Sequence, residues 1–354
     1  MVGNRPQFIK SAPLSVAVRE AGIVEVVLHT GQHYDPQMSQ VFFDELRIPP
    51  PAYALDLRTS DPAAMTDPIR EAVERERPDW VLVYGDTNST LAGALAGAQA
   101  GIPVVHVEAG MRSFDHTMPE ELNRVVADHI ADLLLCASDT ATANLRAELV
   151  RGRIELVGDV MVDLALRLQE SVRAHLATLV THDVAPGGYL LLTAHRAGNV
   201  DDPARLRALV ELVKALPGPV LFPIHPRTRM RLTEAGLARQ LDGRDGLRLT
   251  EPLGYVEFAV LLCHARAVLT DSGGVQKEAY LAGVPCVTLR DSTEWVETVD
   301  SGWNTLVDLD TTAALTALAR TPPAQRPALY GDGRAAERSV QAISAFGEAD
   351  GRRG

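Results

Sequence analysis

The chain has 354 residues, 46% of them hydrophobic, and a formal net charge of −12. That length predicts about two domains with sizeable cores, and the acidic balance argues against a nucleic-acid partner. No apolar run approaches the ~18 residues of a membrane span and no leader pattern opens the chain, so the expected setting is the cytoplasm, away from membranes. In chain order, Met1-Val2-Gly3-Asn4-Arg5-Pro6 reads as the loop after a first strand that is itself almost missing, from a late-assigned start or a sheet one strand short. Short apolar runs then predict strands over Val24–Leu28, Val81–Tyr84, Val104–Val107 and Leu133–Cys136, with Ile154–Val157 closing this half. Helical patterns over Asp67–Glu76, Leu91–Ala100 and Glu120–Ala131 lie between them. The alternation restarts at Tyr189–Thr193 and continues through Val220–Pro223, Leu247–Leu249, Ala267–Thr270 and Cys286–Leu289. Arg334–Phe346 reads as a last helix. The fold class is α/β: two parallel sheets in tandem, divided near Leu166–Gly188, where Pro186-Gly187-Gly188 ends a helix-like segment.

In open parallel sheets, ligands sit at the carboxyl ends of strands. Polar residues of this chain collect there. Asn4 and Arg5 follow the vestigial strand, Asp86 to Ser89 follow Val81–Tyr84, and Glu108 follows Val104–Val107. His195-Arg196, His225-Pro226-Arg227 and Asp271-Ser272 do the same in the second half. Any one of these is an ordinary turn-former; together they predict a shared interdomain cleft. The densest signal is Asp271-Ser272-Gly273-Gly274-Val275-Gln276-Lys277-Glu278. Two glycines at a strand-to-helix turn let backbone N–H groups approach an anion, and the helix start favours one. Glu278, one turn on, could accept hydrogen bonds from a ribose diol.

Dinucleotide redox needs a glycine-rich turn after a first strand. The near match Gly331-Asp332-Gly333-Arg334-Ala335-Ala336 follows no strand and reads as a turn and cap, so no NAD site is expected. Cys136, Cys263 and Cys286 are widely spaced in apolar runs and read as buried, reduced thiols, with no metal-binding spacing. The remaining candidates are carboxylates: Asp86, Glu108, Glu120 and Glu121, the last two at a helix start where a solvated first-turn acid or an ion pair from Glu120 to Arg124 is the plain alternative. His195 reads either as a phosphate contact or as a satisfied loop histidine. Arg5, Lys10 and Arg112 could hold diphosphate oxygens or be solvated surface charges. Lysine occurs only as Lys10, Lys214 and Lys277 among 34 basic residues. A surviving lysine can mark a place where the planar arginine fork will not substitute.

Taken together, the motifs resemble the non-hydrolysing UDP-N-acetylglucosamine 2-epimerases from Gly3 to about Val307. They are Arg5-Pro6-Gln7-Phe8-Ile9-Lys10, Thr30-Gly31-Gln32-His33, Gly85-Asp86-Thr87, His106-Val107-Glu108-Ala109-Gly110-Met111-Arg112 and Pro119-Glu120-Glu121-Leu122-Asn123-Arg124. Gly158-Asp159, His195-Arg196, His225-Pro226, Asp271 to Gly274 and Arg290-Asp291-Ser292-Thr293-Glu294 complete them. The resemblance implies two Rossmann-like domains facing a cleft, as in GT-B glycosyltransferases, with the last helix crossing back to the first domain. The expected divisions are 1–168 on the sugar side, 169–333 on the UDP side, and 334–354 for that helix. It further implies a UDP-sugar site lined by Arg5, Lys10, Arg112, Phe258, Ser272, Gly273, Gly274, Glu278 and Arg290. Asp86, Glu108 and Glu120 would be the acid/base set and His195 a catalytic partner. Neither cofactor nor metal is implied; a homodimer is. Gln32, His33 and His225 match an activator site of some members. Two positions depart from the best-known members: Trp295 replaces an arginine and Leu253 a glutamine. The segment around Thr293–Glu297 resembles a branch that also holds epimerases of UDP-2,3-diacetamido-glucuronic acid. That substrate, a glycosyltransferase and a nucleotide-sugar sensor are the alternative readings.

Overall fold

The computed structural model describes residues 1–32, 48–242 and 244–349, so His33 lies outside the described residues. The chain forms two compact units, Met1–Arg167 with Ala328–Gly354, and Leu168–Pro327. The first change of unit falls inside the helix Val160–Ala174.

The first unit carries a short pair, β1 (Leu28–His29) and β2 (Tyr53–Ala54), and a four-stranded sheet. That sheet holds β3 (Val81–Tyr84), β4 (Val104–Ala109), β5 (Leu133–Cys136) and β6 (Arg153–Leu156) in chain order. All these pairs are parallel. Strands β4 and β5 are buried along their whole length, as expected for runs covered on both faces. The vestigial first strand is real but minimal. Val2 bridges in parallel to His29, and the Met1 amino group donates to the Leu82 carbonyl at 3.0 Å. Met1 to Gly3 therefore lies between β1 and β3, while the two sheets remain separate.

The second unit has six parallel strands: β7 (Leu190–Thr193), β8 (Val220–Pro223), β9 (Leu247–Thr250), β10 (Ala267–Thr270), β11 (Cys286–Thr288) and β12 (Asn304–Leu306). Their spatial order is β12-β11-β10-β7-β8-β9. The chain winds outward from β7 in one direction, then returns to β10 and winds out in the other. That is the doubly wound order, and its reversal point lies between β7 and β10.

Three expectations need correction. The first full strand is Leu28–His29 rather than Val24–Leu28, and Val24 is 87% exposed. The helix Arg5–Glu20 was not foreseen, because Pro13 sits inside it and breaks the pattern. Strands β2 and β12 are additional; the latter carries Asn304, buried on Thr288 and Gln276 rather than on apolar neighbours.

The last helix, Ala335–Ala349, belongs to the first unit. Asp163 accepts from Ala335 N (3.0 Å) and Ala336 N (2.8 Å), satisfying two of its orphan donors. The same helix contacts Arg5–Glu20, and Phe346 meets Trp80 edge-on with ring centroids 5.3 Å apart. Among the described residues, no helix is long and apolar enough to cross a membrane.

Candidate active site

Neighbouring strands β3 and β4 each end in an acid. β3 runs into Gly85, whose φ of +63° turns the chain into Asp86. β4 ends at a register shift between Val107 and Ala109, and Glu108, inside it, has φ of +67°. A left-handed glutamate costs on the order of 1 kcal/mol and persists only where its surroundings over-determine it. Here they do. Lys10, from the Arg5–Glu20 helix, forms an ion pair with Glu108, the two side chains being 13% and 7% exposed. A Cβ on Gly85 would lie 2.7 Å from Lys10 Nζ and 3.2 Å from Glu108 Oε2, so this pair rests against bare backbone. Arg5 begins the same helix, whose N-cap is Asn4.

Asp86 is ion-paired to Arg124, on the helix Pro119–Ile130. Arg124 also meets Glu121 at 3.0 Å. The expected Glu120–Arg124 pair is thus replaced: Glu121 and Arg124, three residues apart, share the buried face of the helix. Glu121 accepts from Ser113 N, Ser113 Oγ and Phe114 N at 3.0, 2.8 and 2.9 Å. Glu120 is half-buried and forms no ion pair with a described residue. Asn123 Nδ2 donates to the Asp86 carbonyl at 3.0 Å, fixing the turn from behind.

The structure removes Arg112 from the group expected to hold diphosphate. Its side chain is 1% exposed, with Nη1 on Asp128 at 2.7 Å. Nε and Nη2 each meet Glu148 at 2.7 Å. No face of this guanidinium is left for a ligand. Arg112→Ala is expected to cost ~3–5 kcal/mol of stability by leaving two carboxylates without their cation. Denaturant unfolding checks this; normal stability with weakened diphosphate binding would return Arg112 to the ligand.

In the second unit, His195 follows β7 and Asp271 follows β10, on the two sides of the reversal point. Asp271 is fully buried and accepts from His195 N (2.9 Å), Arg196 N (2.9 Å) and Asn199 Nδ2 (3.2 Å). His195 Nδ1 lies 3.5 Å from the same carboxylate. Asp271 thereby fixes the β7 turn while the His195 ring stays 38% exposed. That ring stacks on His225 with centroids 5.2 Å apart. His225 caps the helix Pro226–Glu234 by accepting from Arg227 N at 3.1 Å.

The helix Gly273–Ala282 starts directly after Ser272, and no side chain caps it, so its first-turn N–H groups keep their capacity for an anion. The two glycines differ. A Cβ on Gly273 would overlap Glu294 Oε1 and lie 3.3 Å from Trp295 Nε1. A Cβ on Gly274 would meet nothing nearer than Ser272 Oγ at 4.0 Å. Gly273 is demanded by the protein itself; Gly274 opens space for something else. Glu294 is held by Arg290 Nη1 at 2.9 Å, and Arg290 is itself buried. Lys277 is buried with Nζ 4.3 Å from the Trp295 ring centroid. Glu278 is half-buried one turn into the helix. Phe258 packs in the core with Tyr189, Leu261 and Val268. In the first unit, Gln32 Oε1 accepts from Ser89 N at 3.2 Å and Ser89 Oγ at 2.7 Å.

Sequence reasoning placed Asp271 at a strand end and paired Arg124 with Glu120, but it did not find their actual partners, the β7 turn and Asp86, and it gave Asp128 no role at all. Nothing local marks Asp128.

The first unit thus carries acids at the ends of adjacent strands, and the second an uncapped, glycine-opened helix start beside the reversal point of its sheet; both are α/β units. The family model described as UDP-N-acetylglucosamine 2-epimerase matches residues 17–344. The chain belongs to that family, whose members are isomerases. It is 43% identical over 350 residues to a UDP-N-acetylglucosamine 2-epimerase homolog of Methanococcus maripaludis, covering 97% of this chain and 98% of the relative. It is 42% identical to the UDP-2,3-diacetamido-2,3-dideoxy-D-glucuronate 2-epimerase of Pseudomonas aeruginosa, again over 97% and 98%. Among solved structures, that of Methanocaldococcus jannaschii UDP-GlcNAc 2-epimerase in complex with UDP-GlcNAc and UDP superposes with a TM-score of 0.89 at 38% identity. It covers 97% of this chain and 98% of its own.

Proposed function

We propose that the chain is a non-hydrolysing 2-epimerase that interconverts UDP-N-acetylglucosamine and UDP-N-acetylmannosamine. The observation that carries this is Glu108, held in left-handed backbone against Lys10 and one strand from Asp86. The sugar C2–H is not beside a carbonyl, so direct deprotonation is too hard. Breaking the C1–O bond sends its electron pair out with UDP and makes the C2 proton acidic. A carboxylate takes that proton, leaving a 2-acetamidoglycal and free UDP. Protonation of C2 from the other face and return of the UDP oxygen to C1 complete the inversion, with nothing oxidised or reduced. Asp86, Glu108 and Glu120 form the acid/base group, assigned together as coupled acids. Ser272, Gly273 and Gly274 hold the diphosphate, Glu278 the ribose, and His195 with Arg5 stabilises the departing charge. Homodimerisation is part of this reading and is checked by sedimentation.

A second reading has its own support. Trp295 is buried under Lys277 where the best-known members carry arginine, and a diacetamido-glucuronate epimerase stands among the relatives. One experiment separates the two. The protein is incubated with each UDP-sugar in deuterated water and the C2 proton followed by NMR. Deuterium at C2 with a manno product from UDP-N-acetylglucosamine supports the first reading. Exchange only with the uronic acid moves the assignment to the second, and hydrolysis or transfer without C2 exchange sinks both. Asp86→Asn is expected to lower kcat at least ~100-fold with UDP affinity retained; unchanged turnover removes Asp86 from the site.

A further inference from the structure

Beneath the two acids lies a buried histidine that the proton chemistry does not use. His106 is on β4, two residues before Glu108, and its side chain is fully buried. Its Nε2 lies 2.6 Å from the Gly85 carbonyl, the residue before Asp86. Its Nδ1 lies 2.6 Å from Asp128 Oδ1. A carbonyl and a carboxylate can only accept, so the ring makes both bonds only with both nitrogens protonated. The charges around it balance. Asp128 faces His106 on one oxygen and Arg112 on the other, and Arg112 continues to Glu148. Burial alone would raise the Asp128 carboxyl, but His106 and Arg112 outweigh it and hold it below its ordinary value.

Asp128 brackets the strained glutamate. It takes His106 two residues before Glu108, and its Oδ2 accepts from Gly110 N, two residues after, at 3.1 Å. Gly110 has φ of +79°, and a Cβ there would overlap the Ala141 carbonyl, so only glycine fits where the chain leaves the bulge. One carboxylate therefore pins both ends of the Glu108 bulge, and one imidazole ties that bulge to the turn that presents Asp86.

We infer that His106, held by Asp128, is a positioning residue that sets the separation of the Asp86 and Glu108 carboxylates; this rests on the epimerase reading above. Near-attack geometry is steep in distance, and a shift of about 1 Å costs on the order of 100-fold in rate.

Two substitutions divide the ring into its halves. Asn places its amide nitrogen near Nδ1, so His106→Asn keeps the bond to Asp128 and loses the bond to Gly85. Gln places its nitrogen near Nε2, so His106→Gln keeps the Gly85 bond. Both are neutral, so each removes the same charge. With UDP-N-acetylglucosamine or the uronic acid, whichever the wild type exchanges, H106N is expected to lose ~100-fold in kcat with UDP affinity unchanged. H106Q is expected to stay within about tenfold of wild type. Equal losses in the two variants, losses that follow the fall in melting temperature, or an H106N that keeps its kcat overturn the inference. If the wild type exchanges C2 with neither sugar, the functional reading has failed and takes this inference with it. A measurement on the unaltered protein guards against variants that do not fold. In histidine-labelled protein the slowest-exchanging ring is expected to carry a proton on each nitrogen; a single protonated nitrogen overturns the proposal.

Discussion

Glu108→Gln is expected to lower kcat by ~1,000-fold, in the middle of the range for loss of a positioned general acid or base. The amide keeps the shape of the side chain and removes its capacity for a proton. UDP affinity is expected to stay the same or to tighten. Lys10, only 13% exposed at its side chain, loses its carboxylate partner, so its positive charge is no longer neutralised. Calorimetric UDP binding beside NMR turnover reads both effects. Turnover within tenfold of wild type would show that Glu108 is strained for some purpose other than proton transfer.

Gly273→Ala is expected to raise the UDP dissociation constant ~30-fold, about 2 kcal/mol, through loss of charge-assisted hydrogen bonds at the helix start. Helix propensity alone favours alanine by ~1 kcal/mol. The overlap with Glu294 reverses the sign, because Arg290 and Arg196 hold that carboxylate where it is. Gly274→Ala separates protein clash from ligand contact. Its new methyl group meets nothing closer than 4.0 Å, so stability should not fall. UDP affinity should still drop about tenfold if the diphosphate lies against this backbone. An unchanged dissociation constant for G274A would place the diphosphate elsewhere.

Much of this was legible in the sequence because doubly covered strands leave a plain trace. Val81–Tyr84 and Leu133–Cys136 are continuous apolar runs, and the acid after the first of them stands where the motif suggested. The hint from scarce lysine also acquires a physical basis. Lys10, half-buried, pairs with Glu108 and Lys277, buried, lies over Trp295, while Lys214 sits outside on Glu211. What could not be read depends on distant partners. Arg112 stands in a motif among candidate ligands, yet Asp128, from a later helix, and Glu148, at the C-cap of the next, decide that it faces inward. The left-handed turn at Glu108 is invisible because glutamate gives no sign of it, unlike the glycine at 85. Pro13 hid a helix that carries Lys10, for the interior of a helix is where proline is least expected.

The Asp163 cap on the last helix has a consequence for how the chain reaches this state. It joins backbone groups 172 and 173 positions away, with the whole second unit in between. On the ribosome the second unit is an uninterrupted stretch and can finish folding by itself. The unit that carries the acids must wait for its final helix to emerge and then close a loop the length of an entire domain. Its assembly is therefore the late, high-contact-order step, and the acids are the last part of the protein to gain their full support.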